Sequence, residues 1–150
     1  MKRTRPVEEV VAPSQIRVLV IDDDPVSLLA TEHVLRGRGE MDVTTADGPE
    51  RALDLLASSG YDVVLTDVQM PQMTGLELLS RLRDGSPGLP VVVMTGDPRI
   101  TAAQAVIRSE ADGYLFKPLD PTKMIRMVTR LARPAPAPEP VRRRLFSRRG

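Results

Sequence analysis

The chain has 150 residues, no cysteine and one histidine, so it has room for one domain with a real core but no disulfide framework, thiolate zinc site or cysteine nucleophile. Its formal net charge of +1 hides an asymmetry: residues 133–150 carry a net +5, residues 1–15 a net +1, and residues 16–132 a net −5. An acidic globule with a basic tail follows, and the basic whole-chain balance is no argument for nucleic-acid binding.

Residues 1–15 open as MKRTRPVEEVV and lack the apolar core of a signal peptide. They read as a flexible leader, and no apolar run approaches the ~18 residues of a membrane span. A cytoplasmic location is expected. The first strand is IRVLVI (16–21), a near-continuous β-branched and leucine run, as burial on both faces requires. Asp24-Pro25 then offers a cap acceptor followed by a proline at the first helical position. The second strand, MDVTT (41–45), alternates Met41, Val43 and Thr45 with Asp42 and Thr44, which fits a half-exposed edge. Asp47-Gly48-Pro49-Glu50 has the spacing of a capping box with Asp47 as the cap, and it opens a second helix with Ala52, Leu55 and Leu56 on one face.

DVVLTD (62–67) is the third strand. Thr74-Gly75-Leu76-Glu77 repeats the capping spacing before a helix whose face is Leu78, Leu79 and Leu82. VVVMT (91–95) is the fourth strand, Asp97-Pro98 a further helix start, and GYLF (113–116) a short fifth strand. Asp120-Pro121 starts the last helix, with Met124, Val128 and Leu131 at i, i+4 and i+7. Residues 133–140, RPAPAPEP, are extended, and residues 141–150, VRRRLFSRRG, are too polar to pack.

Strand and helix thus alternate five times. The expected fold class is α/β: a doubly wound, flavodoxin-like, five-stranded parallel sheet of order 2-1-3-4-5, with a crevice at the carboxyl ends of strands 1 and 3. Those ends collect chemistry. Strand 1 delivers Asp22, Asp23 and Asp24, strand 3 Asp67, strand 4 Thr95, and strand 5 Lys117 followed by Pro118. Crowded carboxylates repel by about 4 kcal/mol per pair at 4 Å and an effective dielectric near 20. A cation relieves that, and an all-oxygen donor set suits Mg²⁺, or Mn²⁺ as a substitute. A lysine and a hydroxyl beside the metal suit a phosphoryl group.

With VLVIDDDP, VVLTDVQMPQMTG, VVVMTG and GYLFKPL in this order, residues 16–132 resemble the receiver domain of two-component response regulators, of the stand-alone type. The resemblance implies Asp67 as phosphoacceptor. It implies a metal shell from Asp22, Asp23, Asp67 and the backbone carbonyl of Gln69, with Asp23 ligating directly and Asp22 mainly through water. It further implies Lys117 and Thr95 on the phosphoryl oxygens, Thr95 and Tyr114 as the switch, and a cis bond before Pro118. The partner implied is a histidine kinase or histidine phosphotransfer protein. The output is a shift of the face formed by the fourth helix, fifth strand and fifth helix, read by an unknown downstream protein. Such a module is not an enzyme toward other substrates; it catalyses only its own phosphorylation and dephosphorylation. Met70 and Met73 have a packing role, and His33, with no second histidine to join it, a structural one. Glu110 departs from the glycine that the family commonly places there.

Two other readings stay open. VLVIDDDPV also fits the nucleophile strand of a haloacid-dehalogenase-like phosphatase, with Asp22 as nucleophile and Asp24 as acid, but that leaves Asp67-x-x-Met70-Pro71 without a role. A receiver-like interaction module that is never phosphorylated is the other. No DNA-binding domain is expected after residue 132, and the tail suits an acidic partner or an anionic surface. Whether phosphorylation drives a homodimer is open.

Overall fold

The computed structural model describes residues 15–37, 39–71, 73, 75–96 and 110–132, with side chains left aside at Gly75 and Leu76. The leader (1–14), the tail (133–150), Thr74 and the Asp97-Pro98 helix start lie outside the described residues. The apolar runs become strands β1 (Ile16–Ile21), β2 (Met41–Ala46), β3 (Val63–Asp67), β4 (Val91–Thr95) and β5 (Gly113–Phe116). Between and after them run helices α1 (Pro25–Arg36), α2 (Pro49–Ser58), α3 (Gly75–Gly85) and α4 (Pro121–Ala132), the last being the fifth helical segment of the sequence pattern.

All pairings are parallel and the sheet order is β2-β1-β3-β4-β5, as expected. The period-2 alternation of side chains divides the core in two. Val18, Val20, Val63, Leu65, Val92, Met94 and Leu115 face one way, against Leu35 of α1 and Met124 and Val128 of α4. Leu19, Ile21, Val64, Val91 and Val93 face the other, against Ala52 of α2 and Leu78, Leu79 and Leu82 of α3. Every residue of β3 and β4 is buried. The edge strand β2 exposes Asp42. Gly113 enters β5 so close under α4 that a Cβ there would meet Met127 Sδ at 2.6 Å.

The caps are partly as read. Asp24 Oδ1 accepts from Val26 N at 3.0 Å, and Asp120 Oδ1 from Thr122 N at 3.0 Å. The α2 cap differs: Gly48, not Asp47, occupies it, without a side-chain hydrogen bond. Ala46 extends β2 by one residue, so the turn shifts forward and Asp47 falls one place early. Similarly, Asp62 stands just before β3 rather than within it.

Asp62 works as a clamp. Its Oδ2 accepts from Arg17 N at 2.8 Å, and its Oδ1 pairs with Arg17 Nη2 at 3.4 Å. Partial burial pushes its carboxyl up, but the Arg17 backbone and side-chain hydrogen bonds outweigh this and hold it below the usual range. Because the folded-state pKa is depressed, this stabilisation is present above the unfolded value of about 3.9 and is lost as pH falls through the lower folded value. Asp62→Ala is therefore expected to cost about 1 kcal/mol at neutral pH, discounted for exposure. Its deficit against wild type should shrink in acid as pH falls through that lowered folded value; a constant deficit at all pH values would contradict the ion-pair account.

A second clamp was not foreseen. Arg83 of α3 donates from Nε to Glu110 O at 2.8 Å and from Nη1 to Leu89 O at 2.6 Å, and its Nη2 pairs with Asp112. Asp112 Oδ2 also accepts from Val91 N at 2.8 Å. One guanidinium thus ties α3, the turn before β4 and the entry to β5. No helix among the described residues is long and apolar enough to cross a membrane.

Candidate functional site

A parallel sheet places every strand's last residue at one end, and here four adjacent strands deliver polar side chains to it. Past β1, Asp22 N donates to Ala46 O at 3.1 Å, which holds the turn to β2. The Asp22 side chain is fully buried, while the next residue, Asp23, is exposed. Asp22 Oδ1 accepts from Asp24 N at 3.0 Å, so the turn that caps α1 also orients Asp22. The Ser27 hydroxyl reaches the same carboxylate. Ser27 was missed from the sequence; the available signal was its place one turn into a helix whose cap, Asp24, was already assigned.

Asp67 ends β3 and is 8% exposed, with Oδ1 accepting from Gln69 N at 3.2 Å. Thr95 ends β4 and is buried, and its carbonyl accepts from Lys117 N at 2.7 Å. The Lys117–Pro118 bond is cis. Lys117 Nζ lies 2.8 Å from Asp22 Oδ2 and 3.2 Å from Asp67 Oδ2. The ammonium therefore bridges the ends of β1 and β3 from the loop after β5. Tyr114 is half-buried on β5 with its ring edge-on to Phe116, 4.8 Å between centroids.

Carboxylate oxygens of Asp22, Asp23 and Asp67 lie within 4.8 Å of one another. This acidic cluster could hold a metal ion, and an all-carboxylate donor set fits a hard divalent cation. The electrostatics are asymmetric. Burial pushes the Asp22 carboxyl up, but hydrogen bonds from Lys117, Asp24 N and Ser27 overcome it and hold the group below the usual range. Burial also pushes Asp67 up, and with the Asp22 charge it prevails over Gln69 N and Lys117. Burial would lower Lys117, but its two carboxylate partners raise it, so it stays cationic.

Asp67 opens on a cleft of about 680 Å³ lined by Asp23, Asp24, Gln69, Met70, Pro71 and Lys117, among others. Met70 is buried and Met73 half-buried in the core layer that faces α2 and α3, the packing role expected of them. Asp24 serves as a helix cap, and His33 is exposed on α1, away from these groups. The structure thus brings together Asp22, Asp23, Asp67 and Lys117, with Thr95 at the adjoining strand end and Gln69 at the cleft wall.

Residues 18–129 match the response regulator receiver domain family. The chain is 34% identical over 134 residues to the two-component response regulator ORR5 of Oryza sativa subsp. japonica, covering 87% of this chain and 97% of that one. It is 37% identical over 113 residues to the DNA-binding transcriptional regulator NtrC of Escherichia coli, 75% of this chain but only 24% of that regulator. A response regulator receiver protein from Pseudomonas putida superposes with a TM-score of 0.72 at 30% identity, covering 79% of this chain and 99% of that one. The chemotaxis response regulator CheY4 of Vibrio cholerae does so with a TM-score of 0.69 at 27% identity, covering 78% and 98%. On sequence match, strand order and relatives alike, the chain belongs to the response regulator receiver domain family, whose modules carry phosphorylation-dependent signals.

Proposed function

We propose that residues 16–132 form a switch that takes a phosphoryl group onto Asp67 from a phosphohistidine of a partner histidine kinase or phosphotransfer protein. The observation that carries this reading is the convergence of Asp67 with Asp23, Asp22 and Lys117 at one open cleft. An Asp67 carboxylate oxygen attacks phosphorus in line, the P–N bond breaks, and the imidazole leaves. Asp22, Asp23, Asp67 and the Gln69 carbonyl would hold Mg²⁺ or Mn²⁺, which when bound neutralises charge on the phosphoryl oxygens. Lys117 stays cationic, needs no proton transfer, and can turn from the Asp67 carboxylate to a phosphoryl oxygen. Hydrolysis by water at the same phosphorus resets the switch, so the chain's only catalysis is on itself.

Phosphorylation adds about −1.5 to −2 charge beside Thr95. The Thr95 hydroxyl turns to the phosphoryl oxygens, and Tyr114, on the neighbouring strand, follows into the space it leaves. The surface around β5 and α4, with the segment before β5, is then reshaped for a downstream protein or a second copy of the chain. A cytoplasmic setting, the 1–15 leader and the 133–150 tail belong to this proposal as well.

The haloacid-dehalogenase-like alternative needs Asp22 as the nucleophile. Its full burial behind Lys117, Asp24 N and Ser27 favours Asp67 instead. The test is incubation with acetyl phosphate and Mg²⁺, followed by peptide mass spectrometry: label is expected at Asp67, and label at Asp22 or none at all overturns the proposal. Thr95→Ala should still be labelled at Asp67 but lose most of the phosphorylation-dependent change in partner binding, tenfold or more on the typical scale of such coupling. Wild-type coupling in that variant would remove Thr95 from the switch.

A further inference from the structure

Helix α4 carries a row of cations that phosphotransfer leaves unused. Lys123, Arg126 and Arg130 stand at i, i+3 and i+7, and all three are exposed. They line one shallow groove with Asp120, Thr122 and Met127. No ion pair among the described residues engages them, whereas Arg17, Arg36 and Arg83 are paired with Asp62, Glu32 and Asp112. The row spans about 10 Å along the helix. Its direction is fixed, because Met124 and Val128 anchor the other side of α4 in the core.

The sequence extends the charge. Arg133 follows Arg130 by three residues, and Arg142, Arg143, Arg144, Arg148 and Arg149 flank Leu145-Phe146. We propose that the α4 row and these C-terminal arginines together dock the protein on a phospholipid surface that carries anionic headgroups. Two features favour a bilayer over a nucleic acid. Leucine and phenylalanine between arginines match the membrane interface, where apolar side chains enter the acyl boundary and guanidinium groups stay with phosphates. The only aromatics in the chain are two tyrosines and two phenylalanines, and none is on α4 to stack bases beside the row. A second copy of the chain is the competing occupant, since a two-fold contact can set this row against acidic residues such as Asp120 of the copy; a dimer in solution that the triple variant below abolishes, without binding to the mixed vesicles, would overturn the proposal. The net −5 of residues 16–132 repels an anionic surface, so docking depends on the row being presented on one side, within a Debye length of about 8 Å.

The proposal uses no residue of the phosphoryl site and stands independently of it. The test is sedimentation of the full chain with vesicles of phosphatidylcholine mixed with phosphatidylglycerol, against vesicles of phosphatidylcholine alone. Binding is expected to the mixed vesicles only and to weaken with added salt. The triple variant Lys123→Gln, Arg126→Gln, Arg130→Gln should lower the partition coefficient on the order of a hundredfold, at roughly fivefold per cation. The three side chains are exposed, so an unchanged circular dichroism melt is the control for folding. Leu145→Ser with Phe146→Ser should lower binding several-fold. Equal binding to both vesicle types, or wild-type binding by the triple variant, would overturn the proposal. So would tighter binding to duplex DNA than to the mixed vesicles, with no effect of Leu145→Ser and Phe146→Ser.

Discussion

Asp67→Asn is expected to abolish labelling by acetyl phosphate and, at the same time, to raise the metal-free melting temperature by a few °C. The first effect follows from loss of the attacking oxygen: an amide is not a nucleophile toward phosphorus under these conditions. The second follows from electrostatics. Burial, then the Asp22 charge, pushes the Asp67 carboxyl above its ordinary range despite Gln69 N and Lys117. A carboxyl whose folded-state pKa is raised disfavours folding once ionised. That cost is absent below the unfolded value of about 3.9, grows as pH rises, and is complete above the folded value. Asparagine has nearly the same shape and no charge, so the variant should exceed wild type at neutral pH and match it in strong acid. Mg²⁺ should narrow the gap, because it stabilises the wild-type cluster by binding the folded state. Calorimetry with chelator and with Mg²⁺, over a pH series, reads all of this. If Asp67→Asn is still labelled, or if only Asp22→Asn loses the label, the nucleophile has been misassigned.

Much of this arrangement was legible because it depends on strand ends. In a parallel sheet, a residue's position relative to the end of an apolar run decides which end of the molecule it reaches. Asp22, Asp67 and Thr95 could be placed from VLVI, VVLT and VVVM without side-chain detail. Lys117 followed from the short run GYLF before it, and its register is borne out by Thr95 pairing with Phe116. The difference between the neighbours Asp22 and Asp23, one fully buried and one exposed, was not legible. It depends on how the turn bends after Ile21, and that turn is fixed by hydrogen bonds to Ala46 O and from Asp24 N. Arg83 was illegible for a similar reason. Its main acceptors are carbonyls, which have no residue-type signature, and two of its partners, Glu110 and Asp112, lie more than twenty residues away. The α2 cap failed locally: Asp47 and Gly48 both suit a cap, and one further residue of β2 pairing, Ile21 with Ala46, decided between them.

Lys117→Ala should be the most destabilising single change at the site, at about 3 kcal/mol and on the order of 10 °C without metal. Asp22 has no solvent exposure, and Lys117 supplies its only cationic partner among the described residues. Removing one member of a buried pair leaves the other charge uncompensated, which is far more costly than never having built the pair. The Lys117 pKa is raised in the folded state, because its two carboxylate partners outweigh burial. As long as its carboxylate partners are ionised, its contribution is therefore full below the unfolded value of about 10.4, and on the alkaline side it is lost as pH rises through the folded value. The deficit of the variant should consequently be level through neutral pH. It should shrink on acidification, since Asp22 without its lysine takes up a proton more readily. Mg²⁺ should restore a large part of the loss, because a divalent ion among Asp22, Asp23 and Asp67 replaces the missing positive charge. Lys117→Arg should fall between the two, since it keeps the charge but fits a planar fork into a space shaped for a point donor. Thermal melts of the three proteins with chelator and with Mg²⁺ test each step. A Lys117→Ala protein as stable as wild type in chelator would mean that something other than this ammonium holds the two strand ends together.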